Sequence, residues 1–111
     1  MVFSVIYIRH GLSAAEQSWA LETAPEFADT ELGYPEMLNA TGWHIRARHD
    51  LTDTFAANCA RKMEIEEHLR AELEPLSSAA EFDARQARMR RRIEVLDRGL
   101  MLRELFVVDP A

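Results

Sequence analysis

VFSVIYIRHG, residues 2–11, is the stretch on which the reading of this chain turns. Residues 2–8 are apolar, β-branched or aromatic at almost every position. The run is nearly continuous rather than alternating, which predicts a strand covered on both faces, as in a parallel α/β sheet. Gly11 breaks it. Ser13 and Glu16, three residues apart, form a capping box, so a helix is expected to begin near Ala14, carry Trp19 and fade by Pro25.

Further along, residues 25–33 read as a polar loop. Pro35 suits the first turn of a short helix and Gly42 its C-terminal cap. Residues 43–49, Trp-His-Ile-Arg-Ala-Arg-His, alternate apolar and polar, the pattern of a strand with one wet face. Thr52 or Asp53 is expected to cap a long helix reaching about Glu74, with Phe55, Cys59, Met63 and Leu69 as an approximate apolar stripe, stopped by Pro75. Ser78 and Glu81 form a second capping box. The helix they open carries Phe82, Met89, Ile93 and Leu96 on one face and ends at Gly99. Leu102, Leu105, Phe106, Val107 and Val108 make a last strand, closed by Pro110. The order is strand, helix, helix, strand, helix hairpin, strand, with no internal repeat. Acidic residues on the first long helix (Glu64, Glu66, Glu67, Glu72, Glu74) complement arginines on the second (Arg85, Arg88, Arg90, Arg91, Arg92), and in an antiparallel hairpin some of them can face each other. Surface pairs of this kind contribute only ~0–1 kcal/mol each, so they orient more than they stabilise.

Composition bounds the function. The chain has 111 residues, read as one domain: 1–50 and 99–111 supply a sheet and its packing helices, and 51–98 an inserted hairpin. The net charge is −6, which argues against nucleic acid as a partner. The single cysteine, Cys59, allows no intrachain disulfide and no Cys-based metal site, and suits a reducing, cytoplasmic location. No apolar run approaches the ~20 residues of a membrane span, so no membrane partner is expected. The N-terminal apolar stretch lacks a basic flank and a small-residue cleavage site, so it is not read as a signal peptide.

The Arg9-His10-Gly11 triplet resembles the strand end that delivers the nucleophile of the histidine phosphatases. There a His attacks phosphorus while arginines neutralise the phosphoryl oxygens. That family also needs a second His near the C-terminus, another Arg and an acidic proton donor. The last histidine here is His68, inside an expected helix, so this is the least favoured alternative.

A different resemblance spans nearly the whole chain. Val2–Ile8 is followed by Gly11-Leu12-Ser13-Ala14-Ala15-Glu16, then by Tyr34-Pro35-Glu36-Met37-Leu38 running to Gly42, then by a strand ending in Asp50-Leu51-Thr52. A charged helix pair comes next, holding Glu81-Phe82-Asp83-Ala84-Arg85-Gln86-Ala87-Arg88. Asp97-Arg98-Gly99-Leu100 and Arg103-Glu104-Leu105-Phe106-Val107 complete the chain. In order and spacing these segments resemble the C-terminal part of a class I S-adenosylmethionine-dependent methyltransferase.

The resemblance implies an α/β, partial Rossmann-like fold. Its small three-stranded mixed sheet has the order first-third-second, with the first two strands parallel and the last antiparallel to both. An antiparallel helix hairpin is inserted before the last strand as a lid. It also implies the substrate-side part of a small-molecule methyltransferase, with Arg9-His10 in the turn after the strand. Apart from the resemblance, His10, at the carboxyl end of a strand, and Tyr34, before Pro35, are candidates to line a substrate crevice, against the plainer readings of a turn residue and ordinary packing. The family holds S-adenosylmethionine with a Gly-rich turn and an acidic strand end in the half of the sheet absent here. No G-x-G pattern occurs among the four glycines, so no cofactor-binding residue is expected in this chain and it should be inactive alone. The first strand would then show an open edge, expected to pair with another copy or a companion chain. A non-catalytic oligomerisation or regulatory remnant is the alternative reading.

Other residues carry plainer expectations. His68 among Glu64, Glu66 and Glu67 has metal-ligand chemistry but no second cluster to complete a site, so a solvated helix face is expected and no metal. Cys59 is expected as a packed thiol, Arg88–Arg92 as a salt-bridged surface, and Trp19 and Trp43 as packing residues.

Overall fold

In the computed structural model, which describes residues 1–24 and 33–110, three strands form one sheet in the order β1-β3-β2. β1 is Val2–Ile8, β2 Trp43–Asp50 and β3 Met101–Pro110. β3 is central and antiparallel to both neighbours, so β1 and β2 run in the same direction across it. Order and directions are those expected. The sheet is not mixed, however: both ladders are antiparallel, because the two parallel strands never touch. The expected loop at 25–32 lies outside the described residues.

Helices α1 (Ala14–Thr23) and α2 (Tyr34–Ala40) separate β1 from β2. Helices α3 (Thr52–His68), α4 (Arg70–Leu73) and α5 (Ala79–Asp97), with a 3-10 turn at Glu74–Leu76, separate β2 from β3. The Ser13–Glu16 capping box forms in both directions. The second one forms by half: Ser78 Oγ accepts from the Glu81 N–H at 3.1 Å, with no return bond from the Glu81 side chain. Neither Thr52 nor Asp53 caps α3. Asp50 Oδ1 accepts the Thr52 N–H at 2.9 Å, because the Thr52 hydroxyl is engaged with β3. The long helix expected to reach Glu74 breaks at Leu69 instead. Met63 and Leu69 are six positions apart, which a continuous helix would place on different faces.

The core lies on both sides of the sheet. Tyr7, Phe106, Val108 and Leu38 are buried on one face under α2, with Phe3, Val5, Tyr34, Trp43 and Ile45 packed around them. Ile8, Met101, Leu100, Ala20, Ala56, Val95 and Leu96 are buried on the other, beneath α1, α3 and α5. Phe106, Met101, Val95 and Val108 are among the largest fully buried side chains, each stabilising the fold by ~1.5–3 kcal/mol relative to exposure. β1 is covered on both faces only towards its carboxyl end: Tyr7 and Ile8 are buried, while Val2 and Ser4 are exposed. On the face of Val2 and Ser4 the helices stop short of that amino-terminal half, whereas Phe3 and Val5 on the other face pack on the α2 side.

α3 and α5 form the expected antiparallel hairpin, and it projects from the sheet. The molecule measures 53 × 30 × 21 Å with a radius of gyration of 16.5 Å, against ~13 Å for a compact chain of this size. No helix among the described residues is long and apolar enough to cross a membrane.

Candidate functional site

Glu104 stands in the middle of the central strand, opposite Val5 of β1 and Asp50 of β2, and is 5% exposed. A buried carboxylate is costly unless it is paired and hydrogen-bonded. Two diagonal neighbours meet that demand. The Tyr7 hydroxyl donates to Oε1. Arg48 forks onto both oxygens, Nε to Oε2 at 3.0 Å and Nη2 to Oε1 at 2.8 Å. The guanidinium also lies over the Phe106 ring, 5.6 Å from its centroid. No buried side-chain polar atom among the described residues lacks a partner.

A break in register explains how Arg48 reaches the site. Ile45 opposes Val108, but Ala47 opposes Val107 and Arg48 opposes Phe106. The extra residue turns the strand over, so Arg48 and Asp50, not Ala47 and His49, share the face of Trp43 and Ile45. Plain alternation would send Arg48 to the other side of the sheet.

The charges tune one another. Burial alone would push the Glu104 carboxyl up, but the hydrogen bonds from Arg48 and Tyr7 and the Arg48 charge outweigh it, and the net shift is downward. Burial, then the Glu104 hydrogen bond and charge, push the Tyr7 hydroxyl well above the ordinary phenol value. The hydrogen bonds from Thr52, aided by the charges of Arg48 and Arg9, hold Asp50 low. At neutral pH the cluster is therefore a carboxylate, a neutral phenol and a guanidinium. Both Glu104 oxygens are occupied and Tyr7 holds its proton tightly, so neither is a ready general base. Arg48 keeps spare donors: its side chain is 46% exposed. The arrangement suits holding and orienting an anionic or carbonyl-bearing group more than moving protons.

Both ends of the helical hairpin are fixed beside this cluster. At the entry, the Leu51 N–H donates to the Arg103 carbonyl at 2.8 Å, and the Thr52 hydroxyl accepts the Arg103 N–H at 3.1 Å. At the exit, the Arg9 N–H donates to the Leu100 carbonyl at 2.9 Å, and the Arg9 guanidinium lies against Gly99.

His10 lies beside Gly33, the residue that precedes Tyr34 at the start of α2. His10 is exposed, and its Cβ would stand 3.6 Å from a Cβ placed on Gly33. Tyr34 is half-buried and stacks 5.7 Å from Phe106, with Tyr7 at 5.5 Å and Phe3 at 6.1 Å, so it is one ring removed from Glu104. Arg9 faces the hairpin exit while His10 faces α2, so the two side chains of the Arg-His-Gly triplet are directed to different neighbours.

The other candidates lie elsewhere. His68 lines an open groove of about 550 Å³ on the hairpin with Met63, Glu64, Glu67, Arg70, Gln86 and Arg90. Arg70 engages Glu67, Glu74 and Asp83 at 2.7–3.0 Å and lies over Phe82. Among the described residues no group of three or more His, Cys, Asp or Glu side chains is placed to hold a metal. Cys59 is buried, and burial pushes its thiol up, as suits a packing residue. Arg92 ties α5 to α1 through the Thr23 carbonyl at 2.9 Å, and Arg85 pairs with Glu66 at 3.0 Å. Trp19, half-buried at the margin of the core, lies beneath the exposed Arg98 guanidinium, and Trp43, also half-buried, joins the α2 side of the core.

The sequence reading missed Glu104, Tyr7 and Arg48. One signal was present: Glu104 is a lone acid inside the apolar run from Met101 to Val108, interrupted otherwise only by Arg103. A charge at an inward position of a central strand requires a partner. Compared with known proteins, the chain matches no family model, and no curated protein matches it.

Proposed function

We propose that this chain is the substrate-side and lid portion of a class I S-adenosylmethionine-dependent methyltransferase acting on a small molecule. One observation carries the reading. An antiparallel strand lies between two strands of common direction, with a helix hairpin inserted just before it, and this is the arrangement the resemblance implies for the end of that Rossmann-like sheet. The position of the polar cluster supports it too, since ligands of open α/β sheets gather near strand carboxyl ends, where Tyr7, His10 and Asp50 lie.

In this reading Arg48 holds the acceptor through its exposed donors, Glu104 and Tyr7 fix the guanidinium, and His10 and Tyr34 border the acceptor. The chain contributes orientation, which is the main requirement of an in-line methyl transfer. The residues present do not fit the methyl donor itself. Gly11, the glycine after β1, is a single glycine whose added Cβ would meet nothing within 4 Å, so it makes no close cradle. Asp50 ends β2 but is engaged with the Thr52 N–H. The reading therefore assigns the donor to residues outside these 111.

The test is calorimetric titration with S-adenosylmethionine, first of this chain alone and then of its mixtures with polypeptides encoded beside it. The reading expects no binding by the chain alone and binding, with transfer of a labelled methyl group, in one mixture. Stoichiometric binding by the chain alone would refute the assignment of the donor site. Absence of binding and transfer in every mixture would favour a non-catalytic module.

A further inference from the structure

Among the described residues the sheet has two outer edges, and their strands are built differently. The β2 edge is blunted in the usual ways: a register break at Ile45–Ala47, and His44, Arg46, Arg48 and His49 along its length. The β1 strand itself carries none of these features. Its seven residues include no charge, proline or glycine, and its register against β3 is unbroken from Val2 to Ile8. Among the described residues β1 pairs only with β3.

The direction of its free groups follows from the ladder. Met1 and Val108 exchange both backbone bonds, Met1 N to Val108 O at 2.8 Å and Val108 N to Met1 O at 2.9 Å. The Arg9 N–H likewise points to β3, at Leu100. In an antiparallel ladder such pairs alternate. Phe3, Val5 and Tyr7 therefore face β3 with their N–H and C=O groups, and Val2, Ser4, Ile6 and Ile8 present theirs outward.

We propose that β1 is the seam of a homodimer, in which two copies pair antiparallel about a twofold axis at Val5 and their sheets merge into one. In that register Val2 lies opposite Ile8 of the second copy and Ser4 opposite Ile6 of the second copy, so every outward-facing residue meets another and all can form narrow, doubly bonded pairs. No charge faces a charge. Phe3 meets Tyr7 of the second copy, an aromatic pair in the closer, non-bonded position.

The burial gradient along β1 selects a second copy in this direction. Helix α1 packs at the Ile8 end, where the strand is buried, and Val2 at the other end is 63% exposed. The twofold axis sets the covered end of each strand beside the bare end of the other. Directly opposed residues share a face, so each α1 falls on the face that carries Val2 and Ser4 of its neighbour. The inference uses only the sheet edges and does not rest on the methyltransferase reading; it gives the β1 edge to a second copy in place of the companion chain that reading also allows there.

Cysteine cross-linking tests it. Val5→Cys places two thiols on the axis, where Cα atoms of a non-bonded pair lie ~4.5 Å apart, within disulfide reach. Val2→Cys separates them by roughly 20 Å along the strand. Mild oxidation should give a covalent dimer of Val5→Cys and leave Val2→Cys without a covalent link between copies. Sedimentation should give twice the chain mass for the unmodified protein and the single-chain mass for Ser4→Pro, which removes an outward N–H without touching the β3 ladder. A single-chain mass for the unmodified protein, equal cross-linking at both positions, or a strand partner other than a second copy would each overturn the proposal. Should Ser4→Pro fail to fold, the cysteine pair decides alone.

Discussion

Replacing Glu104 with glutamine separates the charge of the cluster from its shape. The side chain keeps its size, but an amide NH₂ takes the place of one carboxylate oxygen. Arg48 has only donors, so one arm of its fork loses its acceptor whichever way the amide turns. A hydrogen bond to a charged group contributes ~1.5–3 kcal/mol. Arg48 is 46% exposed and recovers part of this from water, so the expected loss is about 2 kcal/mol at neutral pH. For a chain of this length that corresponds to a fall of ~10 °C in Tm, or of ~1–2 M in the urea midpoint.

The loss has a pH signature. The folded state holds Glu104 below its ordinary value, so its contribution is complete above the unfolded value of ~4.3 and disappears as pH falls through the folded value. Urea titrations of both proteins should show a constant gap from pH 7 down to about pH 5 and a closing gap in more acidic solution. Equal stability at pH 7, or a gap that persists unchanged into acid, would refute the assignment of Glu104 as a buried carboxylate held by Arg48.

Two further expectations concern the frame around the cluster. Gly42, after α2, has φ +88° with open space around its Cβ position, so Gly42→Ala should cost ~1–2 kcal/mol from backbone strain alone; Gly33→Ala, at φ −56°, should cost less, since it displaces only the flexible Glu36 carboxylate and meets His10 at ordinary contact distance. Comparative urea melts check both. Cys59 should react with a thiol reagent only at the rate of unfolding in native buffer and at once in denaturant, and fast native labelling would show that α3 is not packed as described.

The three strands, the second hairpin helix and the first capping box were legible because each is a local pattern in the residues that form it; the strand order came from the resemblance alone, and the first hairpin helix breaks at Leu69 short of the expected Glu74. Ser13 and Glu16 satisfy one another and need no distant partner. Thr52 failed as a cap because its hydroxyl is claimed by Arg103, 51 residues away. The central cluster was illegible for the same reason. Tyr7 is separated from Glu104 by 97 positions and Arg48 by 56. Arg48 was further hidden by the register break, since Trp-His-Ile-Arg-Ala-Arg-His alternates cleanly and the side chain that turns inward is one the alternation leaves outside. His10 and Tyr34 were read as neighbours of one crevice, and they do flank the start of α2, but the rings that fill that place are hydrophobic packing as much as lining.

The remaining connection is between cluster and hairpin. Arg103 lies next to Glu104 on β3, and its backbone fixes the hairpin entry through Leu51 and Thr52; its guanidinium lies 5.1 Å from the centre of the Phe55 ring on α3. Two residues beyond Tyr7, Arg9 fixes the exit through Leu100. One hinge is thus set by the immediate chain neighbour of Glu104 and the other by a residue two positions beyond Tyr7. The hairpin beyond is a pair of helices held to each other mainly along one thin seam and by exposed ion pairs. Its apolar contacts with the sheet are confined to its base, at Phe55, Ala56, Val95 and Leu96. Under the proposed function, a group held at the exposed edge of Arg48 would bear on the base of the hairpin, the position from which a lid is set over a bound acceptor.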